Sequence, residues 1–339
     1  MASAAIFGLS GPDPTPQEAA FFRDADPWGF ILFARNVEDP GQLTRLTARL
    51  RETVGRNAPV LIDQEGGRVQ RLGPPHWRPW RDVLHLFDGA DGGADEARAL
   101  EAVRLRYRII ADELRAVGID VNCAPVLDVP APGGHEIIGA RALGRTAAEV
   151  ARRGRAVCEG LLAGGVLPVI KHLPGHGRAP ADSHLSLPRV AATRDELDRV
   201  DFAPFRALAD QMVGMTAHVV YDALDPERCA TLSPAAVEAV RRDIGFDGLL
   251  MTDDLSMRAL SGPMAERARA ALTAGCDIVL HCNGDMAEMQ AVAGAVPTLS
   301  GRAAARAARA EAARRPPDRA DITAAVARYQ DLTGEALHG

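Results

Sequence analysis

The chain has 339 residues, 47% of them hydrophobic and 25% charged, which is typical of a globular protein with one large domain or two smaller ones. Its formal net charge of −6 gives no basic footprint, so the composition argues against nucleic acid and anionic membranes as partners. Five scattered cysteines form no C-x-x-C pair, and the N-terminus has neither a signal-peptide pattern nor a membrane-span pattern. These features predict a cytoplasmic protein.

Short apolar segments alternate with amphipathic segments almost to the end of the chain. The predicted strands are Ala5–Leu9, Phe30–Phe33, Val60–Ile62, Asp120–Ala124, Leu167–Ile170, Val213–Thr216, Gly248–Met251 and Asp277–Leu280. The predicted helices between them include Pro40–Val54, Ala94–Val117, Ala147–Gly164, Leu197–Asp210 and Pro234–Ile244. This alternation predicts an α/β fold, a (β/α)8 TIM barrel, regular or irregular, rather than an open doubly wound sheet. No G-x-G-x-x-G motif follows the first strand, and that strand is short enough to be a cap on the barrel bottom instead of a barrel strand.

The composition changes after Pro297. Residues 301–315 are almost all Ala and Arg, and a last helical segment runs from Ile322 to Leu332. We expect one domain over residues 1–339, in which residues from about 297 to 339 form a C-terminal helical extension on the outside of the barrel. The alternative, a nucleic-acid-binding tail, is disfavoured by the acidic residues that follow, such as Glu311 and Asp318.

The stretch from Val169 to Pro188, VIKHLPGHGRAPADSHLSLP, concentrates titratable residues directly after a buried strand. Such a loop is exposed while the strand holds its base rigid, which is the placement of an active site on an α/β fold. Lys171 is the only lysine among 39 Lys and Arg residues. A compact ammonium suits a tight pocket that would exclude the planar fork of an arginine.

Other predicted strands also end in polar residues. Val60–Ile62 is followed by DQEGGRVQR, whose two acids and two arginines either bind a polar substrate or form a turn with surface ion pairs. Asn122 and Asp128 are candidates for holding site residues in place. Arg141 can donate paired hydrogen bonds to sugar hydroxyls or to a carboxylate. His218 either lines the same face or is a satisfied structural histidine.

Two carboxylates, Asp253 and Asp254, follow the strand Gly248–Met251. Alternation along a strand sends only one of them inward, so we expect Asp253 to be a nucleophile. Asp254 then serves as the N-cap of a helix from Leu255 or as a partner of the local backbone.

A nucleophilic Asp opposite a proton donor is the arrangement of a retaining glycosidase. The candidate donor is His184, with Asp182 two residues earlier as the partner that fixes its tautomer. In the rival interpretation, His172, His176, His184 and Asp182 bind zinc, although Lys171 beside them would repel a cation. The glycines around His176 suit either a phosphate cradle or a plain turn.

At this point the residues resemble those of a known family. GFILFARN at 29–36, LIDQEGGRVQRL at 61–72, NCAPVLDV at 122–129, KHLPGHG with DSH at 171–184, and GFDGLLMTDDLSM at 245–257 together resemble the single-domain β-N-acetylhexosaminidases of glycoside hydrolase family 3, the NagZ type of bacterial cell-wall recycling. The resemblance covers the chain to about Cys282.

The resemblance implies a cofactor-free TIM-barrel hydrolase that removes β-N-acetylglucosamine with retention, with Asp253 as nucleophile, His184 as acid/base and Asp182 as its orienting partner. The residues implied to hold the sugar are Asp63, Arg71, Arg141, Lys171 and His172. The implied substrate is N-acetylglucosaminyl-1,6-anhydro-N-acetylmuramic acid with or without its peptide, and we expect a monomer with no nucleic-acid or membrane partner. Related multi-domain β-glucosidases take their acid from a second domain, for which we expect no room here.

Three positions depart from the family pattern. Leu173 stands in place of a usual Phe, Arg178 replaces a usual acid, and Ala140 replaces a usual Asp beside Arg141. Arg178 affects the closed conformation of the catalytic loop, and Ala140 affects the surroundings of Arg141. Two further functions stay open: a phosphorylase in which phosphate resolves the covalent intermediate, and a sugar-binding regulator without turnover.

Overall fold

The computed structural model describes residues 1–87, 94–131, 134–183 and 185–337. Eight strands form a closed barrel in which every neighbouring pair is parallel. They are β1 (Ser3–Phe7), β2 (Pro27–Leu32), β3 (Val60–Ile62), β4 (Val121–Asn122), β5 (Leu167–Leu173), β6 (Val213–Thr216), β7 (Leu249–Asp254) and β8 (Ile278–His281). The strands follow one another around the barrel in chain order, and β8 closes onto β1 with Ala5 opposite Val279. The TIM-barrel prediction is therefore confirmed.

Helices connect the strands and cover the barrel. They are α1 (Pro16–Ala25), α2 (Pro40–Val54), α3 (Ala94–Ala116), α4 (Ala147–Ala163), α5 (194–207, with a π turn at Leu197–Asp201), α6 (Pro234–Arg242), α7 (Met264–Ala274), α8 (Met286–Ala293), α9 (Gly301–Ala313) and α10 (Ile322–Thr333). The first strand is a full member of the barrel, since it pairs with both β2 and β8, so the alternative of a bottom cap is wrong. Within the described part of the chain, every helix is too short or too polar to cross a lipid bilayer.

The strands are buried on both faces, as expected of a parallel sheet covered by helices. Alternate side chains point into the barrel, where Ile6, Ile31 and Met251 belong to one apolar cluster. The other side chains, such as Phe7 and Phe30, pack in a second cluster beneath the helices. Because the lumen is filled with side chains, a ligand has to bind at one end of the barrel and not through it.

Helix α9 lies under the N-terminal end of the barrel. Its small side chains Ala307 and Ala310 are buried in the lumen cluster. Its arginines pair with acids of the barrel: Arg306 Nη1 lies 3.0 Å from Asp277 Oδ1. This pairing neutralises a charge that a nucleic-acid-binding tail would need.

Two small β-sheets lie at the opposite, C-terminal end of the barrel. An antiparallel hairpin joins Gln64–Gly66 to Val69–Gln70 directly after β3. A three-stranded sheet of Arg189–Val190, Val220–Tyr221 and Asp225–Cys229 stands beside β5 and β6. The two elements add walls to the end of the barrel where TIM-barrel sites lie.

Candidate active site

A cavity of about 440 Å³ opens at the C-terminal end of the barrel. It is lined by residues from β2, β3, β5, β6, β7 and β8 or the segments directly after them, and from the β4–α4 loop: Ile31, Phe33, Arg35, Asp63, Arg68, Val69, Arg71, Ile137, Ile138, Arg141, Lys171, His172, His176, Ser183, Met215, Asp253, Asp254, Met257, Leu280, Cys282 and Asn283. All five residues predicted to hold a sugar, and the predicted nucleophile, line this one cavity. Among these predicted residues, the barrel brings together Asp63 and Asp253, which are 190 positions apart in the chain (253 − 63).

A buried ionic network forms the floor of the cavity. The Lys171 ammonium lies 3.0 Å from Asp63 Oδ1 and 2.7 Å from Glu65 Oε1. Arg71 donates to the other oxygen of Asp63 at 3.0 Å, and Arg141 donates to both oxygens of Glu65, at 2.9 and 2.8 Å. Three cations thus fix two carboxylates in place.

The paired charges of this network determine the protonation states of its members. Burial alone would raise the pKa of Glu65, but Arg141 and Lys171 outweigh it and lower that pKa to about 2. Burial is likewise outweighed at Asp63, where Lys171 and Arg71 lower the pKa. Burial would lower the pKa of Lys171, but Asp63 and Glu65 raise it. The floor therefore keeps its charges at neutral pH, with its donors and acceptors in fixed positions.

His172 is held by a second buried carboxylate. Its Nδ1 lies 2.7 Å from Asp128 Oδ2, and the backbone N–H groups of His172 and His176 donate to Asp128 Oδ1 at 3.2 and 2.6 Å. Burial would raise the pKa of Asp128, but the facing His172 lowers it to about 2. Asp128 thus has the supporting role predicted for it. Asn122 is structural, since its side chain exchanges two hydrogen bonds with the backbone of Gln64, each 3.0 Å long.

His176 was predicted only as a possible metal ligand. It is 3% exposed, and its Nε2 lies 3.0 Å from Ser183 Oγ. Burial and the neighbouring His172 lower the pKa of His176 to about 4, so the imidazole is neutral at pH 7. Across the described residues, no group of three or more His, Cys, Asp or Glu is arranged to hold a metal ion.

The loop after β5 carries the predicted acid/base. His184 lies outside the described residues, whereas Ser183 lines the cavity. The carbonyl of Asp182 accepts from the N–H groups of Leu185 and Ser186, both at 3.0 Å. Asp182 does not line the cavity itself.

Arg178, one of the departures from the family pattern, anchors this loop. Its Nε donates to Asp201 Oδ2 of α5 at 2.7 Å. Burial has the larger effect on Asp201 and raises its pKa to about 6, although the ion pair with Arg178 acts in the opposite direction. The substitution thus gives the loop an ion pair to a helix.

The end of β7 presents both acids to the cavity, so the expectation that alternation would admit only one is wrong. The register between β7 and β8 shifts between Met251 and Asp254, which breaks the strict alternation there. Asp254 Oδ1 accepts from the N–H groups of Ser256 at 3.0 Å and Cys282 at 3.1 Å. Of the two roles predicted for Asp254, the structure has the backbone partner; the residues after it form turns and not a capped helix. Asp253 Oδ1 accepts the Asp254 N–H at 2.8 Å.

His218 belongs to the fold and not to the cavity lining. Its Nδ1 lies 2.7 Å from Thr231 Oγ1 and its Nε2 2.9 Å from the carbonyl of Asp254. Both ring nitrogens are therefore used in structural contacts, which matches the second of the two alternatives predicted for it.

Sequence reasoning missed one corner of the cavity. The guanidinium groups of Arg35 and Arg71 lie 4.9 and 5.3 Å from the centre of the Phe33 ring. Arg35 is held by the carbonyls of Leu9, at 2.9 Å, and Cys282. The segment GFILFARN was noted only as part of the family pattern. Nothing local in the sequence indicated the role of Arg35, because it bonds backbone carbonyls that are far away along the chain.

Comparison with known proteins gives a consistent result. The family model described as "Glycosyl hydrolase family 3 N terminal domain" matches residues 14–315. A β-hexosaminidase of Alkalilimnicola ehrlichii is 40% identical over 285 residues, which are 82% of this chain and 80% of the relative. A β-hexosaminidase of Neisseria gonorrhoeae is 39% identical over 288 residues, 84% of this chain and 77% of the relative.

Solved structures agree. NagZ from N. gonorrhoeae in complex with N-trifluoroacetyl-D-glucosamine is similar with a TM-score of 0.85 and 32% identity, over 98% of both chains. A structure of the same protein in complex with zinc ion gives a TM-score of 0.83 and 31% identity, again over 98% of both chains. The β-N-acetylhexosaminidase of Beutenbergia cavernae gives a TM-score of 0.76 and 28% identity, over 92% of this chain and 96% of the other.

Proposed function

Because the chain belongs to glycosyl hydrolase family 3 and is a glycoside hydrolase, we propose that it is a retaining exo-β-N-acetylglucosaminidase. Its proposed substrate is N-acetylglucosaminyl-β-1,4-1,6-anhydro-N-acetylmuramic acid, with or without peptide, released during bacterial cell-wall recycling. The β-hexosaminidase relatives and the N-trifluoroacetyl-D-glucosamine complex of the Neisseria structure support the sugar. The aglycone and the recycling role rest on the family resemblance.

In the proposed first step, the Asp253 carboxylate attacks the anomeric carbon and forms a glycosyl-enzyme, while His184 protonates the leaving oxygen. In the second step, His184 takes a proton from water, which displaces Asp253 with net retention. Asp182 orients the imidazole. The position of Asp253 at the cavity wall supports its role, and the DSH motif supports those of Asp182 and His184, whose neighbour Ser183 lines the same cavity.

The ionic floor is suited to bind the terminal sugar. Asp63 and the Lys171 ammonium supply an acceptor and donors that are already oriented by each other, so little reorganisation is needed when hydroxyls bind. We propose that Arg71, Arg141 and His172 complete this binding surface. Below it the barrel is filled by side chains, among them Met215 and Leu280, so the sugar chain cannot continue inward. This closed floor supports removal of a terminal residue.

We also propose that residues 1–339 work as one catalytic domain. The supporting observations are that α9 closes the bottom of the barrel and α10 packs against α3, so that the C-terminal helices belong to the same body. No residue outside the barrel is needed to complete the proposed set of groups. A monomer carrying one such site is sufficient for the proposed reaction.

The observation that carries the proposal is the convergence of Asp253 with the Lys171–Asp63–Glu65 floor in one cavity. The test is release of nitrophenol from 4-nitrophenyl β-N-acetylglucosaminide by wild type, Asp253→Ala and His184→Ala, each with and without EDTA. We expect wild-type activity that survives EDTA, no turnover by Asp253→Ala, and a steep fall for His184→Ala that lies chiefly in the second step. Asp24→Ala, an exposed acid on α1, is the matched control.

Further readouts separate the alternatives. A 5-fluoro N-acetylglucosaminide with a good leaving group should label Asp253 in a mapped peptide, and the first product observed by NMR should be the β anomer. Sugar 1-phosphate in phosphate buffer would identify a phosphorylase, and substrate binding without turnover would identify a regulator. Full activity of Asp253→Ala, or loss of activity in EDTA, contradicts the proposal.

A further inference from the structure

Arg68 reaches across the mouth of the cavity. It lies in the turn of the hairpin after β3, and its Nη2 donates to the carbonyls of Glu136, at 3.3 Å, and Ile137. The side chain is exposed and lines the cavity. Both contacts use Nη2, so among the described residues nothing occupies the Nη1 edge of the guanidinium, where a ligand can bind.

The charge of Arg68 is not neutralised by the described part of the protein. Of the cavity-lining cations, Lys171, Arg71 and Arg141 are paired with Asp63 or Glu65. The other two, Arg35 and Arg68, are bound to backbone carbonyls, and no described carboxylate lies within ion-pair distance of either. Every cation of the floor is thus paired with a carboxylate, whereas the two arginines of the rim have no carboxylate partner among the described residues.

The position of the acid loop indicates which rim faces the leaving group. The aglycone must lie beside the loop 175–184, because that loop carries the proposed proton donor. Two backbone hydrogen bonds join this loop to the β4–α4 loop: Ala131 N–H to Gly177 O at 3.2 Å, and His135 N–H to Ala179 O at 2.8 Å. The carbonyl partners of Arg68 follow directly at 136–137. Arg68 therefore lies on the leaving-group side.

Arg35 lies at a different corner. It is held by Leu9 and Cys282, which follow β1 and β8, and it stacks on Phe33 after β2. Like Arg68, Arg35 is an exposed cation bound to backbone carbonyls. Unlike Arg68, it makes no hydrogen bond to the described residues next to the loop 175–184. The chain thus contains a matched comparison for the role of Arg68.

We propose that Arg68 is a specificity-determining residue that binds a carboxylate of the aglycone, so that the enzyme prefers an anionic leaving group over a neutral one of the same shape. This inference rests on the proposed function and deepens it. A guanidinium matches the geometry of a carboxylate, and its fixation by two carbonyls reduces the entropy lost on binding. Muramic acid and its peptides supply the carboxylate.

The test compares two disaccharides that differ only in charge: N-acetylglucosaminyl-β-1,4-N-acetylmuramic acid with its free lactyl carboxylate, and the corresponding carboxamide. The readout is the ratio of the two kcat/KM values, so a general loss of activity cancels. We expect a wild-type ratio of about 10, from one charge-assisted hydrogen bond. The ratio should fall towards 1 in Arg68→Gln and lie between 1 and the wild-type value in Arg68→Lys, which keeps the charge but loses the fork geometry of the guanidinium. High salt should lower the wild-type ratio.

Two controls make the result specific. Arg35→Gln removes the comparable charge at the other corner, and Arg269→Gln removes an exposed charge on α7; both should keep the wild-type ratio. An unchanged ratio in Arg68→Gln, or a ratio lost in Arg35→Gln instead, overturns the inference. If wild type cleaves 4-nitrophenyl β-N-acetylglucosaminide but treats acid and amide alike, only the aglycone inference is wrong. If it cleaves none of the three, the proposed function is wrong as well.

Discussion

The ammonium nitrogen of Lys171 lies 2.7 Å from Glu65 Oε1, and the two side chains are 3% and 7% exposed. The only lysine of the chain is thus enclosed between two buried carboxylates, since Asp63 is on its other side. Each carboxylate also has an arginine, so the lysine is the shared member of the network. A point charge that reaches both acids at once explains why an arginine does not serve at this position.

Substitution of Lys171 should therefore damage both stability and activity. Lys171→Met leaves two carboxylates facing each other without their common cation, and we expect the free energy of unfolding to fall by about 3–5 kcal/mol. Lys171→Arg keeps the charge but overfills the site, and we expect kcat/KM to fall on the order of 100-fold through misplaced donors. Urea unfolding and steady-state kinetics measure the two effects.

The control for the lysine is Arg49→Lys. Arg49 pairs with Asp13 on the surface, where the side chains are 49% and 60% exposed, so the exchange should change the free energy of unfolding by less than about 0.5 kcal/mol. Wild-type kinetics in Lys171→Arg would show that the compact ammonium is not required.

Substitutions of Asp254 and Asp253 should have different kinds of effect, on stability for Asp254 and on covalent chemistry for Asp253. Asp254 holds the end of β7 to the backbone of Ser256 and Cys282, so Asp254→Asn should lower the free energy of unfolding by about 1–3 kcal/mol. We still expect covalent labelling of Asp253 by the fluorinated inhibitor in this variant. Labelling at Asp254 in wild type, or labelling of an Asp253→Asn variant, would contradict the assignment of the nucleophile.

The sequence predicted the groups that follow strands, because an apolar run that ends in polar residues is a local signal. Asp63, Lys171 and Asp253 were found in this way. The Glu65–Arg141 pair was not, because the partners are 76 residues apart and meet only when β3 and β4 are neighbours in the barrel. Arg141 was named both from its place in the loop after a predicted strand and from the family resemblance, but neither identified its partner.

Local rules also failed in two instructive places. Alternation did not separate Asp253 from Asp254, because the register shift in β7 depends on pairing with β8. Helix α1 was overlooked although a signal was present: Thr15 accepts from the Glu18 N–H and Glu18 accepts from the Thr15 N–H, a capping box. The first error required tertiary information, whereas the second did not.

The buried neutral His176 predicts a dependence of stability on pH. Its pKa is about 4 in the folded protein and about 6.5 in an unfolded chain, so between these values the unfolded state binds more protons. The stabilising contribution is therefore present above pH 6.5 and is lost as the pH falls towards 4. Wild type should lose about 2 kcal/mol between pH 7 and pH 5 through this group alone.

Urea unfolding at the two pH values tests this linkage. His176→Gln should lose correspondingly less stability on acidification, whereas His76→Gln, an exposed histidine, should follow wild type. Asp63 and Glu65 contribute only at lower pH, since their pKa values are lowered. An identical acid loss in His176→Gln would show that another group is responsible.

Gly177 is required where the acid loop packs on the β4–α4 loop. A Cβ added there would lie 1.9 Å from the carbonyl oxygen of Val129, which belongs to rigid backbone, so Gly177→Ala has to push the two loops apart. The hydrogen bond from Ala131 N–H to Gly177 O would be lost with the displacement. Because this loop carries His184, we expect kcat to fall by about 100-fold from a shift of roughly 1 Å, while far-UV circular dichroism stays that of wild type.

Gly11→Ala is the matched exchange, since nothing lies within 4 Å of the added methyl group. The two variants should have similar circular dichroism but different turnover of 4-nitrophenyl β-N-acetylglucosaminide. Because the activated leaving group needs little protonation, the defect of Gly177→Ala should lie in the second step and appear as accumulation of the glycosyl-enzyme in a pre-steady-state burst. Equal turnover by the two glycine variants would show that the packing of this loop does not position the proton donor.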